Sequence, residues 1–296
     1  MKETLFKGSG VAIITPFDES GINFGELGRI IEDQIAAGTD AIIITGTTGE
    51  SATMSDQEHR DAIRYAVEKV KGRIPVIAGT GSNETRYAIE LSKYAEQAGA
   101  DGLLVVTPYY NKGTQNGLIR HYTMIADSVG IPLILYNVPS RTGINIKVET
   151  YAALAKHPRI VAVKEANGDL SSVLHLRHAC GDELDVYSGN DDQILPILSL
   201  GGKGVISVLA NVAPKDVHVI CQLYFEGKTE AAAKLQIDYA DLIEALFCEV
   251  NPIPVKTAMG LMGYQTGPLR LPLTEMEPGH LEHLKAALRS HGLLNS

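Results

Sequence analysis

Eight short runs rich in β-branched and apolar residues recur about every twenty to thirty-five residues along the chain: Val11 to Ile14, Ala41 to Ile44, Ile74 to Ala78, Gly102 to Val106, Leu133 to Tyr136, Ile160 to Val163, Leu184 to Tyr187 and Gly204 to Val208. Most are apolar throughout, without alternation, which is the pattern of a strand covered on both faces of a parallel sheet. Amphipathic stretches with helical spacing lie between them, such as Gly25 to Ile35 and Glu84 to Tyr94. Gly38 and Gly99 stand where a left-handed residue stops a helix. Repeated strand–helix units of this kind predict a (β/α)8 TIM barrel. After Val208 the strand pattern ceases, and Val217 to Phe225, Glu230 to Phe247 and Leu281 to Leu288 read as helices. The predicted division is a barrel over residues 1–210 and a C-terminal helical region, 211–296, packed on it.

A chain of 296 residues with 45% apolar residues and 21% charge can bury a large core. Its formal charge of -9, with no Lys/Arg-rich run, argues against nucleic acid or an anionic membrane as partner and for small molecules. Cys180, Cys221 and Cys248 are odd in number and far apart, which predicts neither a disulfide framework nor a zinc site and suits a reducing cytoplasm. The first apolar run is too short for a signal peptide or membrane span, so a cytoplasmic protein is expected. His175 and His178, like His280 and His283, are pairs without a third ligand, and no metal is expected.

In a (β/α)8 barrel the residues at the carboxyl ends of the strands line one mouth, where the chemistry of such enzymes resides. Here that list is polar and rich in hydroxyls: Thr15, Thr45 to Glu50, Gly79 to Gly81, Thr107 to Asn111, Tyr136 and Asn137, Lys164 and Glu165, Ser188 to Asn190, and Ser207. Lys164 directly follows the sixth run and Tyr136 ends the fifth, so an amine and a phenol stand on neighbouring strand ends. An amine attacks a ketone only when unprotonated, a state favoured at a strand end with few carboxylates and little water. A tyrosine linked to further hydroxyls can carry the protons that imine formation requires, and Tyr136, Thr47 and Tyr110 supply that chain. Gly46-Thr47-Thr48-Gly49 lacks the Gly-Lys-Ser/Thr ending of a nucleotide loop. A carboxylate cradle made of backbone N–H groups and the Thr48 hydroxyl fits a 2-keto acid better. Arg141, in a Pro/Gly-bounded loop just after Tyr136, is placed to fork onto a second carboxylate.

Six segments together carry a resemblance: Gly46-Thr47-Thr48-Gly49-Glu50, Thr107-Pro108-Tyr109-Tyr110-Asn111, Tyr136 to Gly143, Val163-Lys164-Glu165, Gly204-Val205-Ile206-Ser207 and Asn251-Pro252-Ile253-Pro254-Val255-Lys256. In order and spacing the chain from about residue 8 onward resembles the dihydrodipicolinate synthase (4-hydroxy-tetrahydrodipicolinate synthase) family. The resemblance implies a Schiff base between Lys164 and pyruvate, with Tyr136 as proton donor and acceptor and no metal or organic cofactor. Thr47 and Tyr110 would complete the relay, Tyr110 reaching across a dimer interface of a homotetramer. Thr48 and the backbone of Ile206 would hold pyruvate, Arg141 would bind the carboxylate of L-aspartate 4-semialdehyde, and Gly189 would lie near it. The product would feed diaminopimelate and lysine synthesis. The alternatives are another pyruvate-dependent class I enzyme, a 2-keto-3-deoxy acid aldolase or N-acetylneuraminate lyase, or a non-catalytic keto-acid-binding protein. Arg141 in Ser-Arg-Thr-Gly favours the synthase. The resemblance also implies a regulatory cleft formed by Ser51, Ala52, Asp56, His59, Asn83, Tyr87 and Tyr109. Asp56 and Tyr87 depart there from the lysine-sensitive pattern, which predicts weak or no inhibition by lysine.

Overall fold

The computed structural model describes residues 2–294. Eight parallel strands form a closed barrel: β1 (Gly8–Ala12), β2 (Ala41–Ile44), β3 (Val76–Gly79), β4 (Gly102–Val106), β5 (Leu133–Asn137), β6 (Ile160–Glu165), β7 (Asp185–Ser188) and β8 (Gly204–Ser207), with β8 pairing back onto β1. The helices between and after them are α1 (Phe24–Ala36), α2 (Asp56–Val70), α3 (Thr85–Gln97), α4 (Gln115–Asp127), α5 (Pro139–Thr142), α6 (Val148–Leu154), α7 (Leu170–Cys180), α8 (Ile194–Ser199) and α9 (Pro214–Phe225). Four more follow: α10 (Thr229–Asp238), α11 (Ala240–Leu246), α12 (Ile253–Leu261) and α13 (Pro278–Ser290). Local sequence starts several of these. Asn23, Thr114 and Asp169 accept a first-turn N–H at α1, α4 and α7, and Ser55 and Glu58 form a reciprocal capping box at α2. No described helix is long and apolar enough to cross a membrane.

Each barrel strand divides its side chains by alternation. Ile43, Ile77, Leu104, Ile134, Tyr136, Tyr187 and Ile206 fill the barrel interior, while Ile42, Ile44, Leu103, Val105, Leu135 and Val163 face the surrounding helices. Phe6 stacks on Tyr187 with centroids 4.3 Å apart, and the Tyr187 hydroxyl donates to the Phe6 carbonyl at 2.7 Å. The N-terminal segment thereby seals the end from which the strands start.

Three departures from the expected elements have physical causes. β1 begins at Gly8, not at Val11, because its inward face is too crowded for a side chain: a Cβ on Gly10 would lie 2.7 Å from Ile43 and 2.8 Å from Phe6. The glycines that permit this closure hide the strand from a search for apolar runs. The stretch Glu230 to Phe247 is two helices, broken at Tyr239, which is buried, donates to Asp216 at 2.9 Å and stacks on His291. α12 was not expected, since Asn-Pro-Ile-Pro reads as a turn. α9 packs on β1 and α8, so it belongs to the ring of helices, and a cut at residue 210 separates the strands from the remaining helices without separating two cores.

The C-terminal region also reaches the barrel mouth. Lys256 of α12 donates to Glu50 at 2.6 Å, with side chains 2% and 0% exposed, and to the Pro268 carbonyl at 2.8 Å. The other Glu50 oxygen accepts the Arg270 N–H at 3.1 Å. A pair this deeply buried is costly to leave half made, on the order of 3–5 kcal/mol for removal of one partner. It therefore fixes the loop that Glu50 ends.

Candidate active site

β5 and β6 pair with Tyr136 opposite Lys164 and Asn137 opposite Glu165. Both expected residues are the penultimate residues of their strands, so alternation sends them to the same side. Lys164 Nζ lies 4.4 Å from the centroid of the Tyr136 ring, and the two residues are 5% and 7% exposed. The amine stands against the aromatic face, and burial places the pair where water competes little. Gly189, following β7, presses on this lysine: a Cβ there would stand 3.2 Å from Lys164 Cε and 2.6 Å from the Ala166 Cβ. Only glycine leaves the amine its space.

Asn137 and Glu165 point the other way. Glu165 accepts from Asn137 Nδ2 at 2.8 Å, from the Tyr151 hydroxyl at 2.7 Å and from the Asn167 N–H at 3.0 Å. Burial pushes its carboxyl up to about 7, against these bonds, which favour the anion. Asn137 also takes the Ile146 N–H at 3.1 Å and donates to Asn145 Oδ1 at 2.7 Å, which anchors the segment that follows α5 and Arg141.

The Gly46–Glu50 loop is bracketed by Thr45 and Glu50, both at φ 56°. Non-glycine residues in this left-handed region mark a backbone held by its surroundings. The N–H groups of Gly49 and Glu50 donate to Gly46 and Thr47 at 3.1 Å each. Those of Thr47 and Thr48 donate to no group among the described residues, which leaves two N–H groups for an anion. The buried Thr48 hydroxyl accepts from Asn251 Nδ2 at 3.0 Å. Arg141, exposed on α5, donates from Nη2 to the Asn251 carbonyl at 3.0 Å.

Thr47 and Tyr136 share a cavity of about 50 Å³ at the mouth. Through Thr47, Ser51, Gly81 and Val106 it adjoins a larger one of about 420 Å³, which Ala52, His59, Tyr87, Tyr109 and Arg141 also line. The residues expected in the catalytic mouth and in the regulatory cleft thus meet. His59 lies 2.8 Å from the Gly79 carbonyl through Nε2, and burial holds its imidazole below its ordinary range. Asp56 and Asn83 are off that wall. Asp56 accepts from Arg60 Nε at 2.7 Å and from the Tyr87 hydroxyl at 2.9 Å, and Asn83 gives its carbonyl to Asn111 at 2.9 Å. Tyr110 is not brought to Tyr136 within the chain: it is 89% exposed, at φ 71°. Ile206 lies inside the barrel in β8, one residue before Ser207.

Sequence reasoning passed over two residues. Asp191 is buried and binds the Ser207 hydroxyl at 2.5 Å and the N–H groups of Val208 and Leu209 at 3.0 and 2.9 Å, pinning the strand end that carries Ile206. Burial raises its carboxyl above the ordinary range, against these bonds and the charge of Lys164, which favour the anion; the mouth therefore holds a buried acid that its sequence did not advertise. Asn251 stood within a recognised motif, yet only the fold brings it to Thr48. Its contact is with a residue 203 positions earlier.

Barrel and mouth together define a class, a (β/α)8 enzyme with a buried lysine beside a tyrosine at the carboxyl ends of neighbouring strands. The chain matches the model of the dihydrodipicolinate synthetase family over residues 5–291. It is 58% identical over 291 residues to 4-hydroxy-tetrahydrodipicolinate synthase of Thermoanaerobacter sp. (strain X514), covering 98% of each chain. It superposes with a TM-score of 0.95 on chloride-inhibited dihydrodipicolinate synthase of Acinetobacter baumannii complexed with pyruvate, at 44% identity over 98% of this chain and 100% of that one. The lysine-bound enzyme of Cyanidioschyzon merolae gives a TM-score of 0.95 at 40% identity, over 99% of this chain and 100% of that one. The chain belongs to the dihydrodipicolinate synthetase family, a family of lyases.

Proposed function

We propose that this chain condenses pyruvate with L-aspartate 4-semialdehyde through an imine on Lys164, as 4-hydroxy-tetrahydrodipicolinate synthase, in diaminopimelate and lysine synthesis. The register pair Tyr136–Lys164, with the amine 4.4 Å from the ring centroid, carries the reading. Lys164 attacks the keto carbon, and a proton relayed by Tyr136 and Thr47, with Tyr110 from a neighbouring subunit, leaves with the carbinolamine hydroxyl as water. Loss of a methyl proton gives the enamine, whose carbon attacks the aldehyde. The amine of the second substrate then displaces Lys164 as the ring closes. The Thr47 and Thr48 N–H groups and the Thr48 hydroxyl hold the pyruvate carboxylate beside Ile206; Arg141 takes the other carboxylate, with Gly189 nearby. Imine chemistry needs no metal or organic cofactor. The family resemblance supports a cytoplasmic homotetramer.

Pyruvate with borohydride should add one reduced pyruvyl group, on Lys164 alone, read by intact mass and peptide mapping. Labelling elsewhere, or none on active protein, refutes the mechanism. Lys164→Ala should abolish trapping, whereas Tyr136→Phe should still bind pyruvate and slow turnover by roughly 10²–10⁴-fold, the contribution of a positioned acid–base group. Cleavage of N-acetylneuraminate or 2-keto-3-deoxygluconate faster than turnover of the semialdehyde would instead make it an aldolase.

A further inference from the structure

Asn251 belongs to neither a barrel strand nor a strand-end loop, yet it touches both proposed carboxylate subsites. Its side-chain amide donates to Thr48 Oγ1 at 3.0 Å and its main-chain carbonyl receives Arg141 Nη2 at 3.0 Å. It is buried, and α12, which follows it, is locked to the far end of the Gly46–Glu50 loop by the Lys256–Glu50 pair at 2.6 Å. The position of Asn251 relative to that loop is thus fixed from two sides.

The Thr48 hydroxyl has one proton to give and two lone pairs. Accepting from the Asn251 amide engages a lone pair and leaves the proton to point at the cradle, polarised by the bond behind it. We propose that Asn251 is a positioning residue, whose side chain orients the Thr48 hydroxyl as a donor to the keto-acid carboxylate, while its main-chain carbonyl parks one arm of Arg141. The remaining guanidinium N–H groups stay available to the second substrate. This rests on the imine reading above, since it takes the cradle to hold pyruvate.

The test uses the full-length protein and the pyruvate concentration that half-saturates borohydride trapping on Lys164, a half-reaction that needs no aldehyde. Asn251→Ala should raise that concentration, and the pyruvate KM, about tenfold, as for one lost hydrogen bond to an anion-binding group. kcat should change less than about threefold, since no acid–base group is touched. Asn251→Asp is the discriminating variant. At pH 8 its carboxylate can only accept, so it turns the Thr48 proton away from the cradle and should bind pyruvate more weakly than Asn251→Ala. A packing role predicts the reverse, because Asp keeps the size of Asn. In a Thr48→Val background Asn251→Ala should add almost nothing. Should Asn251→Ala not fold, Asn251→Ser, too short to span the gap, is read in its place with the same expected rise. Unshifted half-saturation, an Asp variant milder than Ala, or additivity with Thr48→Val overturns the role of Asn251 while leaving the imine intact. Absence of trapping in the unsubstituted chain overturns the parent reading, and this one with it.

Discussion

Lys164 and Tyr136 were legible as residues because their positions at the ends of apolar runs fix where a barrel must put them, and the register pairs them. The residues expected to form a regulatory cleft are brought together only in part. Ser51, Ala52, His59, Tyr87 and Tyr109 share a wall of one cavity, but that wall carries Arg141 and no carboxylate. Asp56, the one acid expected there, is held by Arg60 and the Tyr87 hydroxyl, and the Arg60 bond draws its carboxyl below the ordinary range. It has no free charge to offer an ammonium. A missing carboxylate facing a ligand's ammonium costs on the order of 1–3 kcal/mol, roughly five- to 150-fold in affinity. L-lysine should therefore inhibit weakly or not at all in a titration of initial rate. Strong inhibition below millimolar lysine would show that Asp56 exchanges its partners for the ligand.

Among elements, β5 and β6 each serve two layers at their carboxyl ends, Tyr136 and Lys164 inward and Asn137 and Glu165 outward. The outward pair has a pH consequence. The Glu165 carboxyl rises from 4.5 to about 7 on folding, so between those values the folded chain keeps a proton that the unfolded chain has released. Stability then falls as pH rises through this window and levels off above about 7, a loss of roughly 3 kcal/mol at 1.36 kcal/mol per pH unit. Glu165→Gln removes the titration, so its stability relative to the unsubstituted chain should improve by about that amount from pH 5 to pH 8 in urea denaturation. Parallel pH curves for the two proteins would place the titration elsewhere. Most barrel strands were legible because uniform apolar runs have few other uses. β1 was displaced because its closure requires glycine, and α12 was missed because its prolines resemble a turn.

For the whole molecule, Tyr110 is the marker of assembly. It is 89% exposed, with a left-handed φ of 71° on a non-glycine residue, a conformation that costs on the order of 1 kcal/mol or more unless surroundings hold it. If a neighbouring subunit supplies those surroundings, activity should fall as the protein is diluted past dissociation, followed by sedimentation and assay together. Tyr110→Phe should lower kcat without changing the sedimentation of the assembled form. A fully active monomer would exclude Tyr110 from the relay. The sequence alone determined the (β/α)8 barrel, its buried apolar strands and the lysine–tyrosine pair, because those follow from periodicity and strand position, which are local properties of the chain. Only the tertiary structure decided that Asn251 meets Thr48, that Lys256 neutralises Glu50 and that Asp191 stands behind Ser207. The first two of these join residues 203 and 206 positions apart and leave no local period in the sequence, since they arise when the C-terminal helices fold back across the barrel mouth and bury polar groups that must find partners there.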